Sequence, residues 1–353
     1  MATARADQLS EQPLPSQPPD PSQLLMQLGS GFMAAAALYP VTKLGVAELL
    51  AEGPKPISKI AQDTGANEDG LYRVMRALSS IGVFAEISPR TFGLTPAASL
   101  LRADVAGNMR DLILWMTNHF HLNSWGGMMH SVLTGQPAVE KLYGKHCFDI
   151  FRDFPEVDVE FNNAMTNISA MTIPAILEGY DFSGIGTLVD IAGGHGLLIS
   201  QILKHNPDMK GILFDVPHVI EGAKSRIARL GLESRLQTAT GDFFQSIPVG
   251  GDAYMMQHII HDWDDAKAHT ILKNIRKALE GRKNGKLLIF DALISDGNGS
   301  DFSKWMDLEM MLMPGGRERT ENEFRSLLEG AGFKLNRIIP IPSMVSILEA
   351  VPV

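Results

Sequence analysis

The stretch LVDIAGGHG, Leu188 to Gly196, constrains this chain more than any other, because it runs an apolar segment straight into a glycine-rich turn and then into LLISQILKH. Leu188, Val189 and Ile191 read as a buried strand, Gly193, Gly194 and Gly196 let the backbone turn sharply beside a ligand, and the apolar residues that follow recur at helical spacing. Strand, turn and helix in that order form one wall of a nucleotide pocket in a parallel α/β sheet. A dinucleotide site would need G-x-G-x-x-G, and the third glycine is replaced by Ile199. That position is small in such sites so that the helix packs close to the strand and aims its N-terminus at a pyrophosphate. Asp190, just before the turn, would repel a phosphate and suits a ligand with a cationic end.

Two further strand tips converge on the same ligand. KGILFDVP, Lys210 to Pro217, ends its strand in Asp215, where a carboxylate accepts hydrogen bonds from both hydroxyls of a ribose. A third strand from Leu236 to Ala239 leads into GDFF, whose Asp242 and Phe243 suit the amino group and the face of an adenine. The expected ligand is an adenosine-like molecule without phosphates.

From Thr187 onward short apolar runs alternate with helical patterns: 188–191, 211–214, 236–238, 253–260 and 286–290, then 334–339 and 345–349. Such alternation predicts an α/β fold, a Rossmann-like parallel sheet covered by helices on both faces and closed by a C-terminal strand pair. Residues 56–101 read instead as two short helices and a hairpin, the winged-helix pattern. The second of those helices opens with Glu68 and Asp69, the wrong charge for DNA. A formal net charge of −9 over 353 residues also argues against a nucleic-acid partner.

Four segments follow: a disordered tail over 1–22, a mostly α winged-helix dimerisation domain over 23–107, a helical linker over 108–180 that contributes to an acceptor pocket, and a ligand-binding domain over 181–353. The tail is rich in Pro, Gln and Ser and has no secretory pattern. Leu24 to Leu38 is apolar, but Gln27, Ser30 and two glycines interrupt it, so it reads as too short and too broken for a membrane span and as part of a homodimer interface. One cysteine, Cys147, excludes an internal disulfide and suits a reducing, cytoplasmic setting.

The chemistry is expected at DAYMMQHIIHDWDD, read as a strand that ends at His261 on the ligand-bearing edge of the sheet. Asp291, ending KLLIF, and Glu318, in PGGRERT, arrive at the same edge. A histidine held by carboxylates keeps one tautomer and is stabilised once it takes a proton, which suits a general base. His258 is placed inside the strand, in the core. Histidines 195 and 205 read as turn or surface residues. No cluster shows metal-ligand spacing, and no metal is assigned.

The order winged helix, VDIAGGHG, FDVPHVI, GDFF, HDWDD, PGGRERT and a terminal AGF segment resembles the S-adenosylmethionine-dependent O-methyltransferases of the caffeic acid and hydroxyindole type, from about Gln23 to the end. The resemblance implies S-adenosyl-L-methionine as cofactor, with Gly193 at its methionine end, Asp215 at the ribose, Asp242 and Phe243 at the adenine, Trp263 stacking nearby, and Gln257 and Ser169 beside it. His261 takes the place of the base, flanked by Asp262, Asp291 and Glu318. Met165 matches a methionine that packs on acceptor and cofactor. Trp115, Met116, His119, Phe120, Met306, Met310 and Met313 complete the expected walls for a small aromatic acceptor carrying a phenolic or catechol hydroxyl.

Three departures from the family pattern stand out. Ala192 replaces the first glycine of the turn, a small change that the backbone is expected to tolerate. Gln257 stands where a basic residue is common, and Asp291 where many members carry Glu, so its carboxylate reaches less far. Two other readings follow from the same residues: use of the same cofactor for hydroxylation, decarboxylation or cyclisation of a polyketide-like substrate, and a ligand-sensing regulator that binds DNA.

Overall fold

The computed structural model describes residues 20–353. The expected tail lies outside them except at its end, where Asp20 caps a helix and Pro21 and Ser22 form its first turn. That helix, Pro21–Lys43, runs unbroken for 23 residues through Gly29, Ser30 and Gly31. The sequence reading of a short, interrupted segment is therefore corrected, because Ser30 Oγ donates to the Met26 carbonyl at 2.7 Å and stays within the helix. By length and composition alone the helix would also span a bilayer. Leu25, Met26, Leu28, Phe32 and Met33 lie exposed on it.

Behind it the helices Ile57–Thr64 and Glu68–Ser80 precede strands β2 (Phe84–Ser88) and β3 (Thr91–Leu94), which form a three-stranded sheet with β1 (Lys55–Pro56) in the order β1-β3-β2. Val41, Val46, Ile57, Ile60, Leu71, Met75, Leu78, Phe84 and Phe92 make its core. Asn67 caps the second helix through the Gly70 amide at 2.9 Å. The acidic opening Glu68 is paired with Arg90 at 2.6 Å.

The larger sheet comprises β4 (Thr187–Ile191), β5 (Lys210–Asp215), β6 (Leu236–Thr240), β7 (Ala253–Gln257), β8 (Lys286–Asp291), β9 (Phe333–Pro340) and β10 (Ser346–Pro352). Their order is β6-β5-β4-β7-β8-β10-β9, parallel through the first five strands and antiparallel at β10 and β9. Side chains alternate between the faces, as strand geometry requires. Leu188, Met255, Leu288 and Phe290 face the helices Leu197–His205 and Pro217–Arg229. Val189, Ile191, Tyr254, Met256, Leu287 and Ile289 face Asp265–Ala278 and Glu321–Gly330. Ile199 finds its room because Gly211 on β5 has no side chain: a Cβ there would lie 2.9 Å from Ile199 Cδ1.

Strand β7 ends sooner than the sequence suggests. His258 takes a left-handed φ of 55°, and Ile260–Asp262 is a single 3-10 turn. This backbone reversal brings His261 across the edge of the sheet instead of continuing along it.

The glycine turn holds the other unusual backbone. Ala192 sits at φ 52°, Gly194 at 58° and Gly196 at 72°. The replacement of glycine at 192 therefore places a Cβ in the left-handed region, which costs an L-residue about 1–2 kcal/mol. Glycine there gives back part of the gain through its greater freedom when unfolded, about 0.5–1 kcal/mol. The variant Ala192→Gly is accordingly expected to raise the unfolding free energy by about 0.5–1 kcal/mol in a urea titration, and a loss of stability would refute the strain.

Candidate active site

Five strand ends, Ile191, Asp215, Thr240, Gln257 and Asp291, open on one edge of the sheet. At the first, Asp190 is 2% exposed and its Oδ2 has no hydrogen-bond partner among the described residues. Burial, then the nearby Asp215 charge, pushes its pKa well above the ordinary carboxylate range. Gly193 lies so close that a Cβ would overlap the Asp190 carboxyl and Leu213. This is the cradle and the unsatisfied acceptor that a ligand with a cationic end would complete.

Asp215 is fixed from both sides. Its Oδ2 accepts from the Gly194 amide at 2.9 Å and its Oδ1 from the Val216 amide at 2.7 Å, which leaves lone pairs on both oxygens for a diol. Asp242 is exposed and accepts from the Phe244 amide at 2.8 Å, so the side chain that would reach an adenine also shapes its own turn. Phe243, Phe244 and Trp263 meet edge to face, at 5.9 Å and 4.9 Å from the tryptophan ring. Trp263 is stacked on its other side by His146 at 5.7 Å. Gln257 donates to Thr172 Oγ1 at 2.8 Å, and Thr172 in turn bonds the Ser169 carbonyl at 3.1 Å. The structure thus commits the Gln257 amide to the Pro155–Gly179 helix, one turn from Ser169. His195 packs over Gly222, and His205 is exposed.

At the other end of the cleft His261 is 5% exposed, and its Nδ1 lies 2.7 Å from Glu318 Oε1. Asp262 Oδ1 is 3.7 Å from Nε2. Burial alone lowers the imidazole pKa, but the charges of Glu318 and Asp291, the Glu318 hydrogen bond and the Asp262 charge outweigh it and lift it to about 10. Burial, opposed by the imidazolium, lifts Asp262 and Asp291 to about 7 each. Asp291 is fully buried and neither of its oxygens has a hydrogen-bond partner among the described residues.

His258 is not in the strand interior as the sequence suggested. Its ring lies 5.3 Å from that of His261. The fold groups His258, His261 and Asp291 so that one ligating atom from each lies within 4.8 Å of the others. Linear spacing did not show this, because Asp291 arrives from the end of a neighbouring strand.

Sequence reasoning overlooked Arg319. It is 1% exposed, and its guanidinium donates to Asp265 Oδ1 at 2.8 Å, to the Trp263 carbonyl at 2.9 Å and to the Ile260 carbonyl at 3.1 Å. It was also silent on Gly316, where a Cβ would overlap the His261 carbonyl and the Asp262 backbone. The Arg317 amide then donates to the His261 carbonyl at 2.8 Å. In HDWDD, Asp264 caps the next helix through the Lys267 amide at 2.8 Å, while Asp265 anchors Arg319. A GG pair followed by R-x-R around an acid was the available signal.

The proposed acceptor walls are assembled only in part. Trp115, Phe120, Met165 and Met313 share one apolar cluster with Phe151, Phe161 and Leu312. Met310 is buried and Met306 half-buried on the Ser303–Leu312 helix. Met116 and His119, in contrast, are exposed on this chain, and His119 pairs with Asn123 at 2.9 Å. The cause is a helix break at Asn118, whose extended backbone ends Arg110–Thr117 and starts His119–Gly126. The break turns His121 inward instead, 3.3 Å from Glu309, which also accepts from Trp125 Nε1 at 2.6 Å.

Comparison with known proteins places these features. The model of the O-methyltransferase domain matches residues 125–334, and that of the O-methyltransferase dimerisation domain residues 26–104. The phenazine O-methyltransferase PhzM of Lysobacter antibioticus is 41% identical over 332 residues, 94% of this chain and 96% of that protein. The phenazine-1-carboxylate N-methyltransferase of Pseudomonas aeruginosa is 30% identical over 90% of this chain and 93% of its own length. Among solved structures, NcsB1 from neocarzinostatin biosynthesis, in complex with S-adenosylmethionine and 2-hydroxy-5-methyl naphthoic acid, superposes with a TM-score of 0.79 at 30% identity, covering 92% of this chain and 96% of that one.

Replacing Gly316 with Ala tests the close approach. Overpacking against backbone is expected to cost about 1–3 kcal/mol of stability. As Glu318 withdraws, the His261 imidazole should titrate at lower pH by NMR, and an unchanged titration would show that the approach is not needed to hold the pair.

Proposed function

The chain belongs to the O-methyltransferase family, with dimerisation and catalytic domains in one polypeptide, and on that premise we propose that it is an S-adenosylmethionine-dependent O-methyltransferase of small aromatic natural-product acceptors, with His261 as general base. The His261 Nδ1 to Glu318 Oε1 contact of 2.7 Å carries the base assignment. It fixes the tautomer with the proton on Nδ1 and leaves Nε2 to receive another.

The donor set fits the cofactor on its own terms. Asp190 offers a buried unsatisfied carboxyl, Gly193 the room beside it, Asp215 two oxygens with free lone pairs, and Phe243 and Trp263 an aromatic seat. When bound, S-adenosylmethionine supplies an electrophilic methyl group on a sulfonium. Trp115, Phe120, Met165, Met310 and Met313 hold the flat acceptor by apolar contact and keep water out, and methionine adapts to rings of different outline. His261 Nε2 takes the hydroxyl proton as the acceptor oxygen attacks, and Glu318 and Asp291 stabilise the resulting imidazolium. A phenol of ordinary pKa near 10 and an imidazole raised to about 10 are closely matched, so the proton moves with little free-energy change. The N-methyltransferase among the relatives names the second reading, a nitrogen acceptor, and the carboxylate-backed His261 favours the hydroxyl because an acidic O–H needs a base.

The raised His261 pKa sets the sign of the pH dependence. Below about 10 the imidazole largely holds its proton, so kcat/KM should climb as pH rises from 7 and level off as the base becomes neutral. Glu318→Gln should move the inflection to lower pH. In His261→Ala, methyl transfer to a phenolic panel should fall about 10²–10⁴-fold with cofactor affinity retained, and full turnover would reject the base.

The exposed face of Pro21–Lys43 has a natural occupant in the same proposal. Leu25 and Met26 are 71% and 73% exposed where the match to the dimerisation domain begins, at residue 26, and a second copy of the chain would cover them. Light scattering should give twice the chain mass, and Leu25→Asp should shift it toward the monomer. A monomeric wild type would refute the dimer.

A further inference from the structure

Around His261 the fold has gathered more unsatisfied donor atoms than the methyl-transfer reaction uses. Both oxygens of Asp291, Oε2 of Glu318 and Nε2 of His258 have no hydrogen-bond partner among the described residues. Three carboxyl side chains, Asp262, Asp291 and Glu318, surround one imidazole. The buried Arg319 is already committed to Asp265 and to the carbonyls of Ile260, Trp263 and Arg317.

His258 stands at the backbone reversal that carries His261 across the sheet edge, with a φ of 55° and its amide donating to the Phe290 carbonyl at 3.1 Å. The reversal turns its ring alongside His261, with centroids 5.3 Å apart and planes 30° from parallel. One ligating atom from each of His258, His261 and Asp291 then falls within 4.8 Å of the others. Two imidazoles and a carboxylate are the donor set of zinc sites that keep one position open. Tetrahedral zinc needs donors roughly 3.4 Å apart, so the three side chains would draw together from their present spacing, within 4.8 Å, as the ion binds.

We propose that His258, His261 and Asp291 bind a single divalent transition-metal ion of the zinc class, and that the ion switches the enzyme off by occupying the His261 nitrogen. The binding half stands on the donor atoms alone. The inhibition half rests on His261 being the base.

Cobalt(II) separates the two, because its ligand-field absorption reports tetrahedral nitrogen and oxygen ligation without any turnover. Titrated into the full-length protein, Co²⁺ should give intense visible bands saturating at one ion per chain, and Zn²⁺ should abolish them by displacement. His258→Asn keeps a residue that tolerates left-handed backbone but shortens the ligand, and should weaken the ion at least about tenfold. Asp291→Asn should do the same in the binding assay. Zn²⁺ should stop methyl transfer by the wild type, EDTA should restore it, and His258→Asn should turn over normally in both. Absence of the cobalt bands, or bands unchanged in both variants, would overturn the site. Stoichiometric binding with wild-type turnover undiminished would overturn the off-switch while leaving the site, and full turnover by His261→Ala would place the fault in the base assignment instead.

Discussion

A buried guanidinium holds the catalytic edge together. Arg319 gathers the Ile260 and Trp263 carbonyls and the Asp265 carboxylate onto one planar group, so the turn carrying His261 and the segment carrying Glu318 cannot drift apart. Removing such a partner would leave several buried acceptors unsatisfied, each costing about 1–3 kcal/mol. Gly316 permits the approach by presenting no side chain to the His261 and Asp262 backbone. The His261–Glu318 pair is a consequence of this clamp, since Glu318 lies directly between Arg317, bonded to the His261 carbonyl, and Arg319.

Both ends of the site carry a buried carboxyl group. Asp190 at one end and Asp291 at the other are almost wholly removed from water, and among the described residues Asp190 Oδ2 and both Asp291 oxygens have no hydrogen-bond partner. A fold selected only for stability would not keep them, because burying a carboxyl without partners is costly. Strained residues Ala192 and His258 stand at the ends of β4 and β7, beside these same carboxyls. Left-handed backbone and buried carboxyl groups thus coincide at these strand tips.

Much of the fold was legible because it rests on local patterning. Alternating apolar runs at 188–191, 211–214, 253–260 and 286–290 point to the parallel strands and their edge, the third of them overrunning its strand by three residues, and the acids Asp190, Asp215 and Asp291 stand at or beside strand ends. The misses share a cause. Met116 and His119, expected in the acceptor wall of a helical linker, are exposed on this chain because a break at Asn118 reorients the segment and turns His121 inward. His258 was read into a strand that its own left-handed backbone ends. Gln257, expected beside the cofactor, donates its amide to Thr172, 85 residues away, a partner that the sequence did not show. Each depended on a backbone torsion or a distant partner that residue type does not encode at short range.

The sequence by itself determined the sheet, the edge on which its strand ends open, the family, and the motifs that carry His261, Asp262, Asp291 and Glu318, because apolar period, strand-end position and motif order are properties of neighbouring residues. The tertiary structure alone decided which of those groups lie within hydrogen-bond reach of one another, which polar atoms are left unsatisfied, and that His258 stands beside His261. Those facts depend on burial and on distances between segments far apart in the chain, where a 3-10 turn, a buried arginine and a missing Cβ set the spacing.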